Sequence, residues 1–245
     1  MIDARQVAYL QALGVDVYVP RGAPELTAAA ATHVESAPRE TPAGNLTPAS
    51  AEERLDWNAL RAAVAACQRC ELHATRTQTV FGVGNPQARW MFIGEAPGAE
   101  EDKQGEPFVG RAGQLLTSMI RALGLRREDV FIANVLKCRP PDNRDPKPSE
   151  AVSCRGFLER QVALVNPTLI IAVGRIAAQN LLATETPIAK LRGKVHSFGA
   201  QAWPVVVTYH PAYLLRSPGE KRKSWQDLLH ARQLFGRLEQ ESASG

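Results

Sequence analysis

Trp90-Met91-Phe92-Ile93-Gly94-Glu95-Ala96-Pro97-Gly98 is the stretch whose reading decides the fold. Its first four residues are apolar with no polar position between them. A short, unbroken apolar run closed by turn residues reads as a strand covered on both faces, the habit of parallel strands in α/β proteins. Three further runs share this character: Val130–Ala133, Leu169–Val173 and Val205–Val207. Helical patterns separate them, at Gly113–Leu123, Ser149–Val165 and Ile176–Leu182, and a last helix is expected near Ser224–Glu239. Strands alternating with helices predict an α/β protein, a three-layer α/β/α arrangement around a central four-stranded, mainly parallel sheet.

That frame gathers the unusual polar residues. Glu95 follows the first strand, Asn134 ends the second, Gly174 follows the third and His210 follows the fourth. Open α/β sheets bind ligands outside the carboxyl ends of their strands. Residues far apart in sequence therefore converge on one edge, where the active site is expected.

The folded unit is expected over residues 51–240. Ser50-x-x-Glu53 resembles a capping box for a helix with Leu55, Leu60 and Val64 on its apolar face, leading into Cys67 and Cys70. Before it, residues 2–14 read as a short helix, and residues 20–51 are rich in Ala, Thr, Pro and Glu. Residues 1–50 are thus expected to be an extension with a flexible linker. The 245 residues carry 29 Lys and Arg against 25 Asp and Glu, a net charge of +4. That balance permits a nucleic-acid partner without establishing one. No run reaches the roughly 18 apolar residues of a membrane span, and no secretory signal opens the chain. The expected location is the cytoplasm.

In a reducing compartment the four cysteines, Cys67, Cys70, Cys138 and Cys154, read as metal ligands rather than disulfides. Cys67 and Cys70 form C-x2-C, but fifteen residues separate Cys138 from Cys154. The second pair is no zinc knuckle, and the spacing favours a [4Fe-4S] cluster over zinc. Among the residues from Gly94 to Asp102, four are acidic, which suits a water-activating role near a cationic transition state. Phe108, in Pro107-Phe108-Val109-Gly110, offers a stacking surface for a base. The Asn134 carboxamide has the donor and acceptor needed to pair with O4 and N3–H of uracil, and the same orientation rejects cytosine. In Tyr209-His210-Pro211-Ala212-Tyr213-Leu214-Leu215-Arg216, the His can donate to a developing anion. The two leucines with Arg216 and the run Lys221-Arg222-Lys223 look like an apolar wedge with phosphate anchors.

Taken together, C-x2-C, the GEAPG-x2-ED loop, PFVGRAG, Asn134-x3-Cys138, Cys154 and HPAYLLR resemble the iron–sulfur, family 4 uracil-DNA glycosylases, over residues 57–236. The resemblance implies Cys67, Cys70, Cys138 and Cys154 as ligands of a [4Fe-4S] cluster. It implies a uracil pocket of Glu95, Ala96, Pro97, Phe108, Asn134 and His210, the histidine near uracil O2. The implied reaction flips deoxyuridine from DNA and hydrolyses its glycosidic bond, leaving an abasic site for base excision repair. Leu214 or Leu215 would fill the gap in the duplex, Arg216 would hold phosphate, and Glu101 or Asp102 would orient water and stabilise the sugar cation. No lysine is placed as a Schiff-base nucleophile, so no strand-cleaving step is expected. Two other readings compete: a non-catalytic nucleic-acid-binding module with a structural Zn or Fe–S site, and a hydrolase of small nucleosides. The wedge argues against the second, the acidic loop with His210 against the first. A monomer is the default expectation, and a repair or replication partner for the N-terminal tail stays open.

Overall fold

The computed structural model describes residues 51–244. The expected helix at 2–14, the linker ahead of residue 51 and the Ser50 half of the capping box lie outside the described residues. Six strands form one sheet: β1 (Val83–Gly84), β2 (Trp90–Gly94), β3 (Phe131–Asn134), β4 (Leu169–Val173), β5 (Val195–Phe198) and β6 (Trp203–Thr208). Their order is β1-β3-β2-β4-β6-β5. The four expected strands form the parallel centre, with Phe92 opposite Ile132 and Ile171, and Ile171 opposite Val206. β1 and β5 add antiparallel edges. The sheet therefore has six strands rather than four. The two extra strands escape a sequence reading for physical reasons: β1 is two residues long, and β5 has one buried residue in four.

The helices among the described residues are α1 (Trp57–Ala65), α2 (Ala99–Gln104), α3 (Arg111–Ala122), α4 (Pro148–Val165), α5 (Arg175–Leu181), α6 (Ile188–Leu191), α7 (Pro211–Arg216) and α8 (Lys221–Ser244). Strand residues alternate between faces, and the core divides accordingly. Met91, Ile93, Ile170 and Ala172 meet Leu60, Val64, Phe157 and Val162 of α1 and α4 on one side. Trp90, Phe92, Ile171 and Val206 meet Leu116, Ile120, Leu214 and Leu228 of α3, α7 and α8 on the other. This is the three-layer arrangement. Burial of each such large side chain is worth about 1.5–3 kcal/mol, so both helical layers are held mainly by the sheet between them.

The first helix differs from expectation. Ala51–Arg54 is a 3-10 turn, and α1 begins only at Trp57. Its N-cap is Asp56, whose Oδ1 accepts the Ala59 N–H at 2.8 Å. An aspartate there satisfies one of the orphan donors of the first turn. The chain leaves α1 through Cys67, whose N–H bonds the Val64 carbonyl at 3.2 Å. Cys70 then caps the short 3-10 turn Glu71–Ala74.

A candidate base-recognition cleft at the carboxyl edge of the sheet

At the carboxyl ends of the parallel strands lies a cleft of about 790 Å³. Glu95, Ala96, Pro97, Phe108, Asn134 and His210 all line it. The structure thus brings together all six residues expected to form the pocket, from four separate loops and strand ends.

Asn134 is the last residue of β3, opposite Gly94 of β2. It is 2 % exposed, and its Oδ1 has no hydrogen-bond partner. A buried acceptor left unpaired costs about 1–3 kcal/mol, a cost that a donor from a ligand in the cleft would remove. Gly94 makes the room. A Cβ there would stand 2.5 Å from Asn134 Oδ1 and 2.5 Å from the Phe108 ring. Phe108 itself has φ of 56°. A bulky residue in the left-handed region is strained, and such strain gathers at ligand sites. Its ring is tilted 32° to that of His210, with centroids 5.7 Å apart.

His210 is the N-cap of α7, and its Nδ1 accepts the Ala212 N–H at 3.2 Å. The proton of the neutral ring must then sit on Nε2, leaving that nitrogen as a donor. Burial, with help from Arg216 and against the pull of Glu101, pushes the imidazole down to about 4. At neutral pH His210 is therefore an uncharged N–H donor. Gly174, at φ +98°, gives it space: a Cβ there would lie 2.8 Å from His210 Cβ.

The acidic residues sort differently from expectation. Asp102 is 3 % exposed, and both its oxygens accept the Thr77 N–H, each at 3.0 Å. It ties α2 to the segment at Thr77 and is not among the residues that line the cleft, unlike the expected water-orienting group. Glu101 lines the cleft, but its Oε1 accepts Val109 N–H (2.9 Å) and Gly110 N–H (3.0 Å), and its Oε2 accepts Gly98 N–H (3.1 Å). It clamps the loop after β2 to the loop carrying Phe108. Glu95 is the carboxylate that remains. Burial, with the negative charge of Asp145 adding to it and Arg175 opposing, lifts Glu95 to about 7. The acidic cluster hid this division, because only packing separates a backbone clamp from a free carboxylate.

The expected wedge is also half corrected. Leu214 is 1 % exposed and belongs to the core beneath α7, so it cannot enter a duplex. Leu215 is 38 % exposed. Arg216 lines the cleft. Lys221 and Arg222 are exposed, while Lys223 bonds Glu220 at 3.0 Å. Sequence reading did not reach Arg144, Asp145 and Arg175, which also line the cleft. Arg175 and Asp145 pair at 2.6 Å, and their only signal in the sequence was position after a strand or between cysteines.

Behind the cleft, Cys67, Cys70, Cys138 and Cys154 line one small cavity. Cys138 and Cys154 are buried with Leu72 and Leu136, and Ala96 of the cleft loop packs against this group. Arg76 donates to Cys138 Sγ at 3.0 Å. Lys137 lies beside Cys154 and Cys138, whose charges hold up an ammonium that burial lowers to about 8. Burial pushes the Cys154 thiol up to about 11. Among the described residues, no three His, Cys, Asp or Glu are arranged around a single ion. An iron–sulfur cluster would be held by four Cys thiolates, which make the whole assembly anionic. The donor set, four thiols beside two cations, fits such an anionic cluster.

This geometry is a cleft with an aromatic and polar lining at the carboxyl edge of an α/β sheet. Residues 81–229 match the family model of the Uracil DNA glycosylase superfamily. A type-4 uracil-DNA glycosylase of Archaeoglobus fulgidus is 46% identical over 182 residues, covering 71% of this chain and 90% of its own. One from Thermotoga maritima is 48% identical over 153 residues, covering 62% and 79%. A type-5 uracil-DNA glycosylase of Thermus thermophilus is more distant, 34% identical over 119 residues and covering 42% and 54%. The chain belongs to the uracil DNA glycosylase superfamily, on its type-4 branch. No helix among the described residues is long and apolar enough to cross a membrane.

Proposed function

We propose that this protein is a uracil-DNA glycosylase that acts by hydrolysis alone. The observation that carries the reading is the buried, unpartnered Oδ1 of Asn134. Uracil presents N3–H to that oxygen and O4 to the carboxamide N–H. Cytosine presents an acceptor at N3 and a donor at C4, so the same orientation leaves two mismatched pairs. A site built to bond one pattern rejects the other strongly, because its buried groups are left unpaired.

Deoxyuridine leaves the duplex at a cost of a few kcal/mol. Leu215 fills the vacated space and Arg216 holds phosphate. Phe108 stacks on the flipped base while Asn134 reads its edge. As the glycosidic bond lengthens, charge grows on uracil O2, where Nε2–H of His210 is available to donate. A neutral donor suits an anionic leaving group that must depart without taking the proton. Glu95, as a carboxylate, orients water toward C1′ and stabilises the positive sugar, by analogy with glycoside hydrolysis. Glu101 holds the two loops in register.

The cysteines would hold a [4Fe-4S] cluster that serves as a structural clamp, tying the segment after β3 to α4 and the turn after α1. Cys138→Ser is expected to lose iron and lower the melting temperature. Iron per chain and a thermal melt check this, and a soluble variant with full iron contradicts ligation by Cys138.

The function is tested with oligonucleotides that differ only in carrying uracil, cytosine or thymine at one position. Abasic sites are expected at uracil alone. Asn134→Asp is expected to slow uracil excision and narrow the gap between uracil and cytosine, since a protonated carboxyl can pair with cytosine. Unchanged discrimination in that variant removes Asn134 as the reader.

A further inference from the structure

Lys137 is a buried charge that the reaction above leaves unused. It is 1 % exposed. Its Nζ donates to the Asn134 carbonyl at 2.6 Å and to Gln161 Oε1 at 2.6 Å. Gln161 is fully buried and donates through Nε2 to the Phe81 carbonyl at 2.8 Å. Both oxygens bonded to the ammonium are neutral. An ammonium taken out of water is expensive, and an apolar side chain of similar volume would fill the same space at less cost.

What the charge holds is the main chain of the base reader. β3 ends at Asn134, and the chain beyond it stays bonded to the end of β2 and the loop that follows. Val135 N–H bonds the Gly94 carbonyl at 2.9 Å, and Leu136 N–H bonds the Glu95 carbonyl at 3.0 Å. Lys137 is itself fixed, its carbonyl accepting Val80 N–H at 2.8 Å and its N–H facing Cys154. From that anchored position its side chain reaches back three residues and takes the Asn134 carbonyl. Bonds from an ionised donor are stronger and shorter than neutral ones. The direction of that carbonyl sets the peptide plane from which the Asn134 side chain projects, and so the place of Oδ1 in the cleft.

We infer that Lys137 is a positioning residue for uracil recognition, acting through the Asn134 main chain, with Gln161 as its own anchor. The inference rests on the base-reading role of Asn134 proposed above. The competing role for the same ammonium is counter-charge to four thiolates, and the two roles separate by experiment.

Lys137→Met, Asn134→Ala and the double variant are prepared anaerobically as holoenzyme. Three quantities are measured: iron per chain, affinity for a duplex carrying a stable abasic-site analogue, and the single-turnover rate on a uracil duplex. Lys137→Met is expected to keep its iron and its duplex affinity and to excise about tenfold more slowly or worse, the scale of one charge-assisted hydrogen bond. The double variant is expected to be no slower than Asn134→Ala, because both changes act through one group. Gln161→Leu leaves the charge and removes its anchor, and the same non-additivity with Asn134→Ala is expected. It carries the test if Lys137→Met does not fold. Losses that multiply in the double variants overturn the inference, as does a wild-type rate in Lys137→Met or a rate loss that tracks lost iron. Absence of uracil release from the wild-type protein is a separate failure, that of the glycosylase reading itself.

Discussion

Glu95→Gln lowers the single-turnover rate of uracil excision by about 10²–10⁴, the range for loss of a positioned general base, and leaves DNA affinity unchanged. The prediction follows from the environment of this carboxyl. It lines the cleft, burial lifts it to about 7, and no other acidic side chain expected for this work is free to do it. Asp102 is committed to Thr77, and Glu101 to Gly98, Val109 and Gly110. The pH profile makes the assignment specific. The working form is the carboxylate, so the wild-type rate rises with pH through about 7 and flattens above it. Below that point Glu95 is protonated and can neither orient water as an acceptor nor stabilise a cation. His210 adds no inflection there, since it is neutral down to about 4. Arg175 pulls the Glu95 value down and Asp145 pushes it up. Arg175→Gln therefore moves the acid limb to higher pH, and Asp145→Asn moves it lower. If the Glu95→Gln protein keeps the acid limb, the titrating group lies elsewhere.

His210→Ala reduces excision by about 10²–10³, the loss measured when one preorganised oxyanion donor is removed, while binding of uracil DNA is retained. The donor is preorganised because Ala212 N–H occupies Nδ1 and forces the proton onto Nε2. Its fixed place costs nothing to establish at the moment of reaction, since Pro211 starts α7 directly after it and Gly174 clears the space behind it. The change acts on the charged transition state and not on the flipped ground state, so the loss falls on the rate of the chemical step. Equal losses in excision and in DNA binding would mean that His210 supports the loop rather than the anion.

The sheet was legible where residues are buried on both faces. Trp90–Ile93 and Leu169–Val173 admit no polar residue, and both strands lie at the centre with every residue buried. The edges were not legible, because Val195–Phe198 buries one side chain and its pairing depends on Trp203–Thr208 folding back beside it. The six pocket residues were readable because each sits at a strand end or in a glycine-bounded loop. Division of labour among acidic neighbours was not. Glu95, Glu101 and Asp102 are the same chemistry within eight residues of sequence, and which backbone N–H each one meets is decided by loops from elsewhere. The two adjacent leucines of α7 make the same point. Leu214 and Leu215 differ by about 100° around a helix, enough to put one in the core and the other in solvent. Lys137 gave no sequence signal at all, since a lysine beside a cysteine reads as surface until its burial is seen.

One gel assay tests the central claim most directly: anaerobically prepared protein is incubated with a duplex carrying a single uracil, and half of each sample is treated with hot alkali. The account predicts strand breakage at the uracil position only after alkali, and none in the His210→Ala control. Binding of the duplex with no alkali-sensitive site would contradict catalysis, and breakage without alkali would contradict hydrolysis as the sole chemistry.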